Sequence, residues 1–375
     1  MRSLSAMTWG CSLQGRQAPG AEMRLNLGVF ALFCYKYKTY TMKPGSAKNQ
    51  QYQNPVKATL KGIRDLFRER ERVGELRPDD RLDGKTVMVT GASSGLGLAT
   101  SIALAKRGAR VIMACRSGIP SKGEEVKRKS GSDAVEMVYV DLSDMVSIQR
   151  LVDGLGKMKV RLDVLVCNAA IVPKKSRKTP QGLEQMFVVN YFAKFVLLDR
   201  LLKHKLIRQG NGALPRIIFV SSESHRNPKA FDLKGFGEYR VFGIGKAMEK
   251  YGYYKMLLTT LAVELSRRLN PNKQPEYSVF ALCPGPVNSN IAREAPAVFQ
   301  PLLTLIFSLF FKSPQKACEP VVYLAASPDM EGRAFEYLFM MGRKDADEKA
   351  ADPAHGRELW HKSTRLLEQV GHCTK

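Results

Sequence analysis

The chain has 375 residues, 44% of them hydrophobic, and a formal charge of +24. That is enough apolar material for one large or two ordinary domains, and the basic surplus favours anionic partners (a phosphorylated cofactor, an acidic membrane surface, nucleic acid) or a solvated basic rim. Seven scattered cysteines with no C-x-x-C spacing, and five histidines with no H-E-x-x-H pattern, argue against a disulfide framework and against a metal site.

The N-terminus stands apart. Residues 1–64 carry ten Lys/Arg and one acid, Glu22. The apolar run "LNLGVFALFCY" (25–35) is far shorter than the ~20 residues of a membrane span. Residues 1–60 therefore read as a disordered or targeting extension, or as the result of a start placed before Met42, and they are set apart from the fold. The segment "KATLKGIRDLFRERERVGELR" (57–77) predicts a charged amphipathic helix. The expected organisation is an extension over 1–60, a leading helix over 61–82 and a single domain over 83–375.

From Lys85 the pattern changes. "KTVMVT" (85–90) is a β-branched run, "GASSGLG" (91–97) a glycine turn, "LATSIALAKRG" (98–108) a helical stretch and "RVIMACR" (110–116) a second strand. Strand, glycine turn, helix and strand make a βαβ unit. Further strands are predicted near 135–140, 164–168, 216–221, 278–282 and 334–340, with helices between them, including 180–208 and 247–269. Such alternation predicts an α/β fold, a Rossmann-type doubly wound parallel sheet covered on both faces.

Gly91, Gly95 and Gly97 allow a tight turn and a close approach to a pyrophosphate, and the next helix presents free N–H groups and the positive end of its dipole. The spacing is G-x-x-x-G-x-G. The second strand ends in "ACRSG", with Arg116 where an acid would bind the ribose 2′-hydroxyl of NAD. The guanidinium suits a 2′-phosphate, so the expected cofactor is NADP(H).

"TGASSGLG" (90–97), "DL" (141–142), "CNAA" (167–170), "VVN" (188–190), "VSS" (220–222), "YGYYK" (251–255) and "PGPVNS" (284–289) occur in order over roughly 85–345. In these the chain resembles the short-chain dehydrogenase/reductases. "VIMACR" and "LDVLVCNAA" look like light-dependent protochlorophyllide reductases; the long gap from Ser222 to Tyr251, and "LFFKSPQKA" (309–317), look more like the retinol dehydrogenase group.

The resemblance implies a site. Its tyrosine and lysine lie four apart on one helix face, and only Tyr251 is four before Lys255. A nearby ammonium is expected to lower the phenol pKa, so that Tyr251 exchanges a proton with a carbonyl or alcohol oxygen. Lys255 would also bind the nicotinamide ribose, Ser222 would bond the reacting oxygen, and Asn190 would hold a water of a proton relay. Tyr253 and Tyr254 are expected to pack or to line the cleft. Cofactor contacts are implied for Thr90, Gly91, Ser93, Ser94, Gly95, Leu96, Gly97, Arg116, Asp141, Leu142, Asn168, Ala169, Tyr251, Lys255, Pro284, Gly285, Val287 and Ser289. The chain departs from the family pattern at Ala170, where a glycine is common, and in "NYFAKF" (190–195), where N-x-x-G-H-F is common.

The apolar segment "PAVFQPLLTLIFSLFF" (296–311) falls where relatives close the substrate site. It reads as a hydrophobic lid, as an interfacial membrane contact or as a buried helix; the first two imply a lipophilic substrate. The expected activity is NADP(H)-dependent interconversion of an alcohol and a carbonyl in a retinoid, lipid aldehyde or steroid-like molecule. The alternatives are a protochlorophyllide reductase-like enzyme and a catalytically silent NADP-binding scaffold. No nucleic-acid signature accompanies the charge. A cytoplasmic or peripheral membrane location, organelle targeting and a homo-oligomer all remain open.

Overall fold

A computed structural model describes residues 72–208, 212–272, 274–285 and 313–372. The extension over 1–60, the lid segment 296–311, Val287 and Ser289 lie outside the described residues. Eight strands form one sheet in the order β3-β2-β1-β4-β5-β6-β7-β8. They are β1 (Thr86–Thr90), β2 (Arg110–Cys115), β3 (Val135–Tyr139), β4 (Val164–Cys167), β5 (Arg216–Val220), β6 (Ser278–Cys283), β7 (Phe335–Phe339) and β8 (Gly342–Arg343). All neighbours pair in parallel except β7 and β8. The two-residue antiparallel β8 had no sequence signal of its own.

The central strands carry apolar residues on both faces, which is what a sheet buried on both sides requires. On one face Val87, Val89, Val111, Met113, Val164, Val166, Ile218, Val220, Phe280 and Leu282 share a core cluster with Leu104, Val126, Val321 and Leu324. Those partners sit on α1 (Gly95–Lys106), α2 (Ser121–Ser130) and α6 (Glu319–Ala326). Alternate residues on the same strands, such as Met88, Ile112, Leu165, Ile217 and Phe219, are equally buried and face the other side. That side is covered by α3 (Met145–Lys157), α4 (Ala193–Lys203), α5 (Ile244–Leu269) and α7 (Pro353–His372). The sheet order reverses between β1 and β4, and in such folds ligands bind at that switch point, outside the carboxyl ends of the strands.

The expected leading helix is corrected over its described part. Residues 72–82 are not helical. Gly74 takes φ +148°, and Pro78 lacks an N–H and pushes its predecessor toward extended backbone. The segment instead crosses the sheet edge, where Arg72 bridges to Gly342 and Val73 N–H donates to Met341 O at 2.9 Å. Residues 57–71 of the expected helix lie outside the described residues.

Candidate active site

The glycine turn follows β1. Gly91 and Gly95 have φ of +66° and +53°, left-handed values that favour glycine. A Cβ on Gly97 would stand 2.4 Å from Gly91 O and 2.5 Å from Asn168 Nδ2, so the turn and the end of β4 close on one another with no space for a side chain. Asn168 holds that closure: its Nδ2 donates to Thr90 O at 2.9 Å and to Gly91 O at 3.3 Å, and its N–H donates to Thr90 Oγ1 at 3.0 Å. Thr90 Oγ1 in turn donates to Val166 O. Ala169 lies under Gly91 and donates its N–H to Thr90 Oγ1 at 3.2 Å. Ser94 is the N-cap of α1, yet its side chain caps nothing. The first-turn N–H groups thus stay available to an anion. Ser93 and Leu96 are part-buried in the same turn.

At the other end of the cleft Arg116 follows β2 and is 63% exposed, its Nη1 3.7 Å from Asp141 Oδ2. Asp141 accepts from Ser143 N–H at 2.8 Å and Ser143 Oγ at 2.7 Å, which keeps one carboxylate oxygen occupied, and Leu142 beside it is buried. Pro284 and Gly285 follow β6, with Gly285 at φ +82° against the Met340 side chain.

The tyrosine and lysine come from α5, whose middle is buried on every side, the polar Lys255, Thr259 and Thr260 included. Tyr251 is half-buried, with the hydroxyl of Ser222, which follows β5, near enough to act on its phenol. Lys255 is 2% exposed; its Nζ donates to Val220 O at 2.6 Å and stands 5.5 Å from the centre of the Tyr251 ring. Burial pushes Lys255 down to about 8, against an upward pull from Cys283. The expected lowering of the Tyr251 pKa is corrected: burial is the largest influence and raises it, Cys283 adds to this, and only the Ser222 hydrogen bond acts downward. The Lys255 ammonium is directed at Val220 O, and its own desolvation disfavours the charged form. Cys283 itself is pushed up by burial to about 11.

The neighbouring tyrosines are separated from this chemistry. Tyr253 donates to Asp232 O. Tyr254 is buried, hydrogen-bonds Glu184 and packs edge-on to Phe187 at 5.7 Å. Ser221 is held by Thr259 Oγ1 at 2.7 Å. Asn190 sits in a π-helical turn, Val188–Phe192. Its side chain is committed to Ile171, accepting from the N–H at 2.8 Å and donating to the carbonyl at 2.9 Å. Here the amide braces the segment after β4.

Sequence reasoning missed three groups. Glu184 caps the turn before Asn190, accepting from Met186 and Phe187 N–H. His225 is buried behind Ser222, with Nδ1 2.7 Å from Ser222 O and Nε2 accepting from Asp347 N–H at 3.2 Å. Cys283 lies close enough to shift both Tyr251 and Lys255. Glu184 acts locally, as a side-chain cap two and three residues ahead of the N–H groups it accepts from, and that was the signal available; the contact of His225 with Asp347 and the nearness of Cys283 to the site join residues distant in sequence.

A family profile described as short chain dehydrogenase matches residues 85–232. Retinol dehydrogenase 14 of Mus musculus is 32% identical over 300 residues, covering 74% of this chain and 84% of its own. The chain belongs to the short-chain dehydrogenase/reductase family. It is thus a member of an oxidoreductase family whose fold binds a nicotinamide cofactor. The WW domain-containing oxidoreductase of Pongo abelii is 35% identical over 297 residues, 76% of this chain and 69% of its own. Among solved structures, the Pseudomonas aeruginosa RhlG/NADP active-site complex superposes with a TM-score of 0.54 at 22% identity, over 71% of this chain and 98% of that one, a likeness of fold.

Proposed function

We propose that this short-chain dehydrogenase/reductase moves a hydride between NADP(H) and the alcohol or carbonyl carbon of a lipophilic molecule such as a retinoid, a lipid aldehyde or a steroid-like compound. The observation that carries the catalytic part is the convergence of Ser222, Tyr251 and Lys255 from two elements onto one point of the cleft. A nicotinamide cofactor, when bound, supplies or accepts the hydride. The chain's own groups manage the proton. Ser222 and Tyr251 hold the substrate oxygen between two hydroxyls, and Tyr251 donates its proton to a carbonyl or takes one from an alcohol. A phenol kept neutral by burial holds the proton that carbonyl reduction takes up, and the reverse reaction gives that proton back to the same oxygen. Lys255, pushed down to about 8, is poised to return that proton near neutral pH.

The free N–H groups after Ser94 suit the pyrophosphate, and the exposed Arg116, tethered to Asp141 only at 3.7 Å, suits the 2′-phosphate. Binding of NADPH and NADH to wild type and to Arg116→Asp, followed by calorimetry, tests the cofactor. The substitution should weaken NADPH and narrow its advantage over NADH; equal NADPH affinities would remove the assignment. Consumption of NADPH against a panel of retinoids, lipid aldehydes, steroids and quinones tests the substrate class. Support for a lipophilic substrate comes from the apolar segment 296–311 and from the retinol dehydrogenase names among the relatives.

A further inference from the structure

Lys194 stands in the "NYFAKF" segment, at the start of α4, and is 1% exposed. A lysine this deep is rare unless its ammonium is engaged. Its Nζ donates to Ala169 O at 2.6 Å and to Val189 O. Ala169 belongs to the floor beneath the glycine turn, and Val189 precedes Asn190 in the π-helical turn. Asn190 ties the same two segments together through Ile171. Lys194 and Asn190 are therefore two rungs between the end of β4 and one helical turn, on the side of the cleft where Lys255 lies. The titratable groups facing Lys194 are Cys167 on β4 and Lys255 on α5. Burial first, and then the like charge of Lys255, push Lys194 down to about 7. Both carbonyls keep a donor in either protonation state, because a neutral amine retains two N–H bonds.

We propose that Lys194 is a positioning residue for the cofactor: by bridging the Ala169 and Val189 carbonyls it fixes the floor under the nicotinamide half of the dinucleotide, next to the Tyr251–Lys255 pair. The inference rests on the reading that this cleft binds NADP(H). Arg116 and Asp141 lie at the other, adenosine end, so the effect should be confined to one half of the ligand.

Calorimetric titration of the full chain with NADPH and with 2′,5′-ADP, which carries the phosphorylated adenosine end alone, separates the possibilities. Lys194→Met removes the side-chain donor from both the Ala169 and the Val189 carbonyls. It should raise the Kd for NADPH on the order of tenfold and leave that for 2′,5′-ADP within about twofold. Lys194→Gln keeps an amide donor on a shorter arm and should fall between wild type and Lys194→Met. Equal NADPH affinity in wild type and Lys194→Met overturns the proposal, as does an equal loss for both ligands, which would mean general damage. Should Lys194→Met fail to fold, Lys194→Gln decides: a higher NADPH Kd with unchanged 2′,5′-ADP binding supports the clamp, and an unchanged NADPH Kd overturns it. Wild type that binds neither ligand refutes the cofactor reading itself, a result distinct from any failure of the clamp.

Discussion

Tyr251, Tyr253 and Tyr254 share one turn of α5 but meet three different partners: Ser222, the Asp232 carbonyl and Glu184. Only the first hydroxyl faces the cleft beside Lys255. Tyr251→Phe should therefore cut turnover by about 10²–10⁴-fold, the usual share of acid–base catalysis, with NADPH affinity nearly retained. Tyr253→Phe should cost little turnover, and Tyr254→Phe should act mainly on stability, because its buried hydroxyl lies beside Glu184 and away from the cleft. Steady-state rates and melting curves for the three variants check this, and a larger turnover loss in Tyr254→Phe would move the proton donor elsewhere. Gly97 tests the cradle in the same way. A methyl group 2.4 Å from Gly91 O cannot be accommodated by a side-chain rotation, so Gly97→Ala should displace the turn and weaken NADPH binding several-fold or more; an unchanged Kd would show that the turn's closeness to Asn168 is irrelevant to the ligand. The spacing of Tyr251 and Lys255 was legible because i and i+4 face alike on any helix. The direction of the Tyr251 shift was not, because burial by residues from other elements outweighs a neighbour on the same helix.

At the scale of elements, the strands and the helices over 98–108 and 247–269 announced themselves through β-branched runs and glycine punctuation, each within a few residues of its observed ends, while the stretch 180–208 is helical only over 185–203. What the sequence concealed is how elements are held together at the site. The short 3-10 turn Glu223–Arg226 follows Ser222 and is locked from the C-terminal side. Glu223 accepts from Tyr337 at 2.9 Å and from Lys344, and Arg226 pairs with Glu223 at 3.1 Å. His225 bonds Ser222 O and Asp347 N–H from the centre of the network. The contacts to Tyr337, Lys344 and Asp347 span over a hundred residues, and no local pattern encodes them. They carry a pH prediction. Burial, the first cause, pushes His225 down from 6.5 to about 4, so below pH 6.5 the unfolded chain takes up a proton that the folded one refuses. Stability should fall as pH drops from about 6.5 to about 4, by about 3 kcal/mol from this group. Burial pulls the Glu223 carboxyl upward, but Lys344 and Arg226 together lower it on balance, so its own loss begins only below about 4.5. Chemical denaturation at intervals of pH should show this slope in wild type and a flatter one in His225→Gln; parallel curves would exclude His225 as its source.

At the scale of the whole molecule, the family match ends at residue 232, yet the helix bearing Tyr251 and Lys255 and the cover over it lie beyond that point. The parallel order of the sheet followed from the alternation of strand and helix, since crossovers between parallel strands need a helix. The C-terminal helix α7 was not among the predicted elements; its partners α4 and α5 lie far upstream. Ser363 meets the Tyr191 hydroxyl at 2.5 Å, Trp360 packs edge-on to Phe195 at 5.1 Å and lies 4.4 Å from the Arg268 guanidinium, and Leu359 is 1% exposed. Tyr191 is the residue after Asn190, so α7 bears on the π-helical turn as well as on α5. Leu359→Ala removes buried methyl groups from this seam and should cost about 2–5 kcal/mol of stability, as core truncations of leucine do. The loss should be cooperative, appearing as one transition at lower denaturant, and NADPH should shift that transition back by mass action. Val370, further along the same helix and 5% exposed, provides the graded comparison: Val370→Ala removes less volume and should cost less. Urea unfolding followed at once by tryptophan fluorescence and by circular dichroism makes the measurement. Two separate transitions, or a Leu359→Ala variant as stable as wild type, would mean that α7 is an appendage rather than part of the cover that holds Asn190 and Tyr251 in place.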